Sequence, residues 1–183
     1  MSLLMDVPSL LPLERQADWH SAVSLLYRLW RQHPDDARIC CRLLSECWYI
    51  LAEWDCCIDP TGLDFRAIQS RMLEAFRYGR TQFPSEVDFL WMAGYMSSLF
   101  PYLFVNRQNS DFEDAQIEQQ GIAMLKRATF LAPDHPVANV LYLGTRSMSA
   151  DYIAAKQALA PGLAALFPGE TAIEVYFRDV LTT

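Results

Sequence analysis

Residues 72–94 read MLEAFRYGRTQFPSEVDFLWMAG and predict two helices joined by a tight turn. Met72, Phe76 and Gly79 recur at spacings of four and three, which places them on one face of a helix. Pro84 ends that helix, because proline lacks an N–H group and restricts the residue before it. The apolar run that follows begins the second helix, so the stretch predicts an antiparallel helix pair.

The same spacing occurs again before Pro34 and before Pro133. The residues at the matching offsets are Ala22, Leu26 and Leu29 in the first copy and Gly121, Leu125 and Ala128 in the last. This pattern, with a small residue in mid-helix and a proline after the helix, resembles the tetratricopeptide repeat (TPR), a helix pair of about 34 residues. The resemblance implies an all-α fold: a short right-handed stack of antiparallel helix pairs, with about seven or eight helices.

The turn prolines indicate one domain with unusually long connections. Pro34, Pro84, Pro133 and Pro168 are 50, 49 and 35 residues apart, so the first two intervals exceed one repeat. The excess falls where the two helices of a repeat should join. We therefore predict a single TPR-like domain over 1–183, with an N-terminal extension at 1–13, enlarged loops at 55–62 and 101–112, and a capping helix at 169–183 that covers the end of the stack.

Helix boundaries and one close crossing are also predicted. The first helix is expected over 14–33, where apolar residues keep a helical spacing. The pairs Ser85–Asp88 and Thr171–Glu174 have the three-residue spacing of a capping box. The small residues Ala93 and Gly94, together with Gly121 and Ala128, predict that helices cross closely where these residues lie.

Composition and charge narrow the classes of partner. Fifteen basic and twenty-two acidic residues give a net charge of −7, which disfavours nucleic acid because phosphate repels an acidic chain. The N-terminus lacks the basic region of a secretory signal. The uncharged run at 89–106 contains Gly94 and Pro101 and suits a buried helix better than a membrane span. These features predict a cytoplasmic protein with no nucleic-acid or membrane partner.

Five cysteines lie in one part of the sequence, at Cys40, Cys41, Cys47, Cys56 and Cys57. Their odd number and the missing secretory signal disfavour a disulfide framework. Zinc sites need four ligands, usually with paired cysteines two to four residues apart, and adjacent cysteines point apart on a helix. Thiols that pack in the core, without a metal, are therefore the favoured interpretation. Cys56 and Cys57, in a predicted loop, are expected to be the most reactive.

The TPR resemblance also implies which residues line the concave groove of the stack. Among these positions are four aromatic residues, Trp48, Tyr49, Trp91 and Tyr95. Exposed aromatic side chains often contribute most of the binding energy of an interface, whereas buried ones pack in the hydrophobic core. For Trp48 and Trp91 both interpretations stay open. The second predicted contact region is the polar loop, with Asn106, Arg107, Gln108 and Asn109.

The functional hypothesis is a non-catalytic protein-binding module without a cofactor or metal. It would hold one protein partner, as an adaptor, a secretion-type chaperone or an immunity protein that neutralises a toxin. The alternative is an enzyme, or a thiol- or metal-dependent sensor, that uses the Cys56/Cys57 loop. Glu46 and Glu53 are seven residues apart and can share a helix face, but nothing marks them as an acid/base pair.

Overall fold

The protein is all-helical over residues 3–105, 111–146 and 149–182, which are the residues described by the computed structural model. Its helices are α1 (Leu10–Arg15), α2 (Trp19–Gln32), α3 (Ala37–Ala52), α4 (Phe65–Gln82), α5 (Val87–Leu99), α6 (Asp111–Leu131), α7 (Pro136–Gly144), α8 (Ala150–Leu159), α9 (Leu163–Leu166) and α10 (Ala172–Thr182). Single 3-10 turns lie at Pro101–Phe104 and Ala160–Gly162. Within the described ranges, all helices except α1 and α9 have nine residues or more, which confirms the predicted all-α class.

Helices α3 and α5 form the centre of the molecule. Helix α3 packs on α2, α4 and α5, and α5 packs on α6. The stack continues from α6 to α7 and from α7 to α8. Most residues of α3 and α5 are buried, which agrees with their apolar sequences.

The start of the chain differs from the prediction of one helix over 14–33. Helix α1 ends at Arg15 and α2 begins at Trp19. Between them Ala17 has a φ of 55°, a left-handed conformation that cannot continue a right-handed helix. Asp18 then caps the N-terminus of α2, because its carboxylate accepts a hydrogen bond from the Ser21 N–H at 3.1 Å. Part of the predicted extension at 1–13 is therefore helical.

Only one of the two predicted capping pairs forms. Helix α5 follows Glu86 without a side-chain cap, and the Ser85 hydroxyl instead accepts a hydrogen bond from Arg127 at 3.1 Å. Before α10, the Thr171 hydroxyl donates to Glu174 at 2.6 Å, and the Gly169 N–H donates to the other Glu174 oxygen at 2.9 Å. The second pair thus ties down the turn that leads into α10.

The predicted close helix crossing is that of α5 and α6. A Cβ added to Gly94 would lie 2.8 Å from the carbonyl oxygen of Gly121. A Cβ added to Gly121 would lie 2.7 Å from the carbonyl oxygen of Gly94. The two backbones are in contact, so only glycine fits at either position without a shift.

The C-terminal helix packs on the end of the stack and also on its centre. Helix α10 contacts α8 and α9, and it contacts α3 as well. The N-terminal segment holds it there: the Ala172 N–H donates to Glu14 at 2.6 Å, and Arg15 forms an ion pair with Glu170. The Leu3 N–H also donates to the Leu166 carbonyl at 2.9 Å.

The predicted enlarged loops have short ordered structure of their own. A compact turn follows α3, and the 3-10 turn at Pro101–Phe104 follows α5. The predicted contact residues Asn106, Arg107, Gln108 and Asn109 lie outside the described residues. Among the helices of the described ranges, none combines the length and apolar character needed to cross a lipid bilayer.

Candidate functional site

Four of the predicted contact residues share one face of α3 and α5, and we call this surface the groove face. It consists of Trp48, Tyr49, Trp91 and Tyr95, and their rings contact the rings of α10. Trp91 and Tyr95 are four apart on α5 and therefore lie on one side of it. Trp48 and Tyr49 are adjacent on α3, and the rings of both contact Tyr176 of α10. The structure therefore brings together the aromatic residues that the sequence selected.

Helix α10 covers the groove face with two adjacent aromatic residues. The ring of Tyr176 lies 5.3 Å from the ring of Trp48, measured between centroids, and 6.1 Å from that of Tyr49. The ring of Phe177 lies 5.2 Å from that of Trp91, edge to face. Such aromatic pairs add to the stability that burial provides. The groove face is thus occupied by the chain itself.

Both indoles are consequently core residues. Trp48 and Trp91 each have 0% of their surface exposed, so their interpretation as exposed binding anchors is wrong for this structure. Tyr49 and Tyr95 are half-buried. The cause is α10: residues 81 or more positions away along the chain fill the space that a partner would have used.

Polar contacts join α5 to α7 at one end of the groove face. The Trp91 indole N–H donates to Asp88 at 3.2 Å, and His135 Nε2 lies 3.4 Å from the same carboxylate oxygen. His135 Nδ1 accepts from the Ala138 N–H at 3.1 Å, so this histidine also caps the start of α7. With Nδ1 as acceptor, Nε2 carries the proton that faces Asp88. The contacts among Asp88, Trp91 and His135 thus join the start of α5 to the start of α7.

One part of the groove beside α10 remains open. We call this cavity, of about 300 Å³, the open groove. Tyr95, Ser98 and Leu99 from α5 form one wall, and Val180 and Leu181 from α10 form the opposite one. The remaining lining residues are Glu118, Ile122, Leu141, Gly144, Thr145 and Tyr152. Apolar side chains with a few hydroxyls and one carboxylate suit the binding of a mixed polar and apolar surface.

Two large exposed apolar residues lie at or just after the end of α5, and of these Leu99 lines the open groove. Leu99 is 45% exposed at the end of α5, and Tyr102 is 40% exposed in the 3-10 turn that follows. Tyr102 packs against Phe100, with ring centroids 5.9 Å apart, and so is held in place. These residues are next in sequence to the polar loop that the sequence also selected.

A buried ionic cluster links the N-terminus to α3 and α10. Arg42 lies 3.2 Å from Glu14 and 3.4 Å from Glu46, and all three side chains are almost wholly buried. Burial raises the pKa of Glu46 to about 8 and raises that of Glu14 as well. Two carboxyl groups share one guanidinium, so burial favours the neutral form of Glu46. Glu46 and Glu53 therefore belong to different clusters and do not form a pair.

The five cysteines divide into two groups. Cys40, Cys41 and Cys47 are buried in α3, and burial raises the pKa of each thiol, to about 12 for Cys40. These three are core thiols, as predicted. Cys56 and Cys57 are exposed in the turn after α3, where the Glu53 carboxylate joins them. These three residues are the metal-ligating group that the described part of the chain offers.

The functional residues that sequence reasoning missed are Tyr176 and Phe177. The sequence shows that they belong to the apolar face of a helix, but it does not show which helices that face packs against. Comparison with known proteins adds no template: no family model, no curated protein and no solved structure matches this chain. The case for a function rests on the chain's own residues.

Proposed function

We propose that the protein is a non-catalytic protein-binding module that holds one protein partner at the open groove. The observation that carries this proposal is the cavity of about 300 Å³ lined by residues of α5 and α10, among them Leu99, which is 45% exposed. Contiguous exposed apolar residues at a concave surface are typical of interaction sites.

Of the four aromatic residues predicted as binding anchors, only Tyr95 belongs to the proposed contact surface. Tyr95 still lines the open groove, whereas Trp48, Tyr49 and Trp91 lie under α10. Tyr102 takes the role of exposed aromatic anchor, because a tyrosine offers a rigid apolar ring and a hydroxyl that can bond to a partner. A partner seated here would also touch α10, through Val180.

The polar loop remains part of the proposal. We include Asn106, Arg107, Gln108 and Asn109 in the proposed contact because they follow, in the sequence, the 3-10 turn that carries Tyr102. The net charge of −7 and the carboxylate of Glu118 in the groove favour a partner with basic residues. Adaptor, secretion-type chaperone and immunity protein are the three roles that fit such a module.

The test is co-purification of the full chain from the cells that produce it, with mass spectrometry, for wild type and two variants. Leu99→Arg places a charge in the open groove, and we expect it to remove a stoichiometric partner. Val175→Arg is the matched control, because Val175 is an exposed apolar residue (38%) of α10 that does not line the groove.

The partner should survive the control substitution. Loss of the partner in both variants, or in neither, would contradict the proposed site. Equal melting temperatures of the three proteins would show that any difference lies in binding and not in folding.

A further inference from the structure

The turn after α3, residues 53–58, is a compact hook, and we call it the cysteine turn. The Glu53 carbonyl accepts hydrogen bonds from three successive N–H groups, those of Cys56, Cys57 and Ile58, each at 3.0 Å. Asp55 adopts a left-handed φ of 61°, which reverses the chain. The hook therefore has a defined backbone shape.

Apolar contacts hold both arms of the cysteine turn. The ring of Trp54 meets that of Phe65 edge to face, with centroids 5.1 Å apart, and the side chain of Ile58 is buried. The anchoring leaves the cysteine side chains free, since Cys56 and Cys57 remain exposed. A rigid support with exposed functional groups is what a preorganised binding site requires.

Three potential metal ligands, two thiols and one carboxylate, lie close together in this turn. The two thiol sulfurs and a Glu53 carboxylate oxygen all lie within 4.8 Å of one another. Within this group the Cys57 thiol donates a hydrogen bond to the Glu53 carboxylate. Within the described residues no basic side chain forms an ion pair with Glu53. The three groups thus offer a cation one carboxylate and two thiols that can lose their protons on binding.

We propose that the cysteine turn is a binding site for a soft divalent cation of the Zn²⁺ type, with Cys56 Sγ, Cys57 Sγ and a Glu53 oxygen as ligands. Thiolates select such cations over Mg²⁺ and Ca²⁺. Sulfur atoms bound to one tetrahedral zinc lie about 3.8 Å apart, given Zn–S bonds of about 2.3 Å, so the three ligands need to approach by about 1 Å or less. Rotation of exposed side chains supplies that movement.

Binding of the cation releases protons from the two thiols. The cation displaces one proton from each thiol, and both protons go to the solvent, while the Glu53 carboxylate is already ionised. Three protein ligands leave a fourth position of the tetrahedron for water or for a group of a partner. The cysteine turn follows α3, whereas the open groove lies between α5 and α10, so this site is independent of the proposed protein-binding surface.

The experiment is calorimetric titration of the reduced full-length protein with Zn²⁺. We expect one Zn²⁺ per chain. A double variant, Cys56→Ser with Cys57→Ser, should bind at least about 100-fold more weakly, because removing even a supporting group costs about 10–100-fold in affinity. Glu53→Gln should weaken binding by about tenfold on the same scale.

Asp55→Asn is the matched control. It removes one negative charge from the same turn without touching the three ligands, and asparagine tolerates the left-handed backbone of this position. Its affinity should stay within about twofold of wild type, since general attraction between charges at an exposed site is weak.

A second readout identifies the ligand atoms. Cd²⁺ bound to the wild type should show the ultraviolet charge-transfer absorption of two thiolates, and the double serine variant should lack it. The proposal is overturned if the wild type binds no stoichiometric Zn²⁺. It is equally overturned if the double serine variant binds as tightly as wild type, or if Asp55→Asn weakens binding as much as Glu53→Gln.

Discussion

The hydroxyl oxygens of Tyr95 and Tyr176 lie 2.7 Å apart and share a hydrogen bond between α5 and α10. This bond lies at the border between the covered part of the groove face and the open groove, because Tyr95 also lines the cavity. The bond thus connects α5 and α10, two of the helices that line the cavity.

A double-mutant cycle tests the bond between these two tyrosines. Tyr95→Phe and Tyr176→Phe should each lower the free energy of unfolding by about 1 kcal/mol, because each leaves one hydroxyl without its partner. The double variant should cost less than the sum, with a coupling of about 0.5–1.5 kcal/mol. Urea denaturation measures all four proteins. Strictly additive losses would mean that the two hydroxyls do not interact in solution.

Helix positions could be predicted from the sequence because periodicity and proline are local signals. The offsets before Pro34, Pro84 and Pro133 lie within single helices, and α2, α4 and α6 end next to these prolines as predicted. Local signals failed where the backbone turned without glycine or proline. Ala17 adopts a left-handed conformation, which alanine does rarely, whereas the left-handed Asp55 lies in the loop predicted over 55–62.

The candidate site was harder to predict, because its state depends on contacts distant in sequence. Helical spacing was enough to align Trp91 with Tyr95, which are four residues apart. Nothing local indicated that Tyr176 and Phe177 would cover them. The proximity of Glu53 to Cys56 and Cys57 was also hidden, because it depends on the shape of the turn that follows α3.

The crossing of α5 and α6 gives a prediction about stability. Gly94→Ala should lower the free energy of unfolding by about 1–3 kcal/mol, because the new methyl group meets the backbone of Gly121, which cannot move aside cheaply. Gly162→Ala is the control, since its Cβ would point into open space, and its effect should stay within about 0.5 kcal/mol. Thermal and urea denaturation measure both. Equal effects at the two positions would refute the close crossing.

The buried ionic cluster predicts a dependence on pH. The pKa of Glu46 rises from 4.5 to about 8 on folding, so the folded protein keeps a proton that the unfolded chain has lost. Stability from this group is full below about pH 4.5 and is lost as the pH rises to about 8. Glu46→Gln cannot ionise, so its stability relative to wild type should increase over that range by roughly 1–4 kcal/mol.

Melting curves at pH 5 and pH 8 measure this relative stability. Glu170→Gln provides the control, because Glu170 pairs with Arg15 on the surface and lies outside the buried ionic cluster. A constant difference between Glu46→Gln and wild type across the range would show that Glu46 is ionised in the folded protein.

The central claim, that the open groove holds a protein partner, is tested most directly by site-specific photo-crosslinking in the cells that produce the protein. A photoreactive amino acid is placed at position 99, on the groove, and in a second protein at position 175, on the outer side of α10. We predict one discrete crosslinked protein from position 99 and none from position 175. Absence of a crosslink at position 99, or the same products from both positions, would contradict the claim.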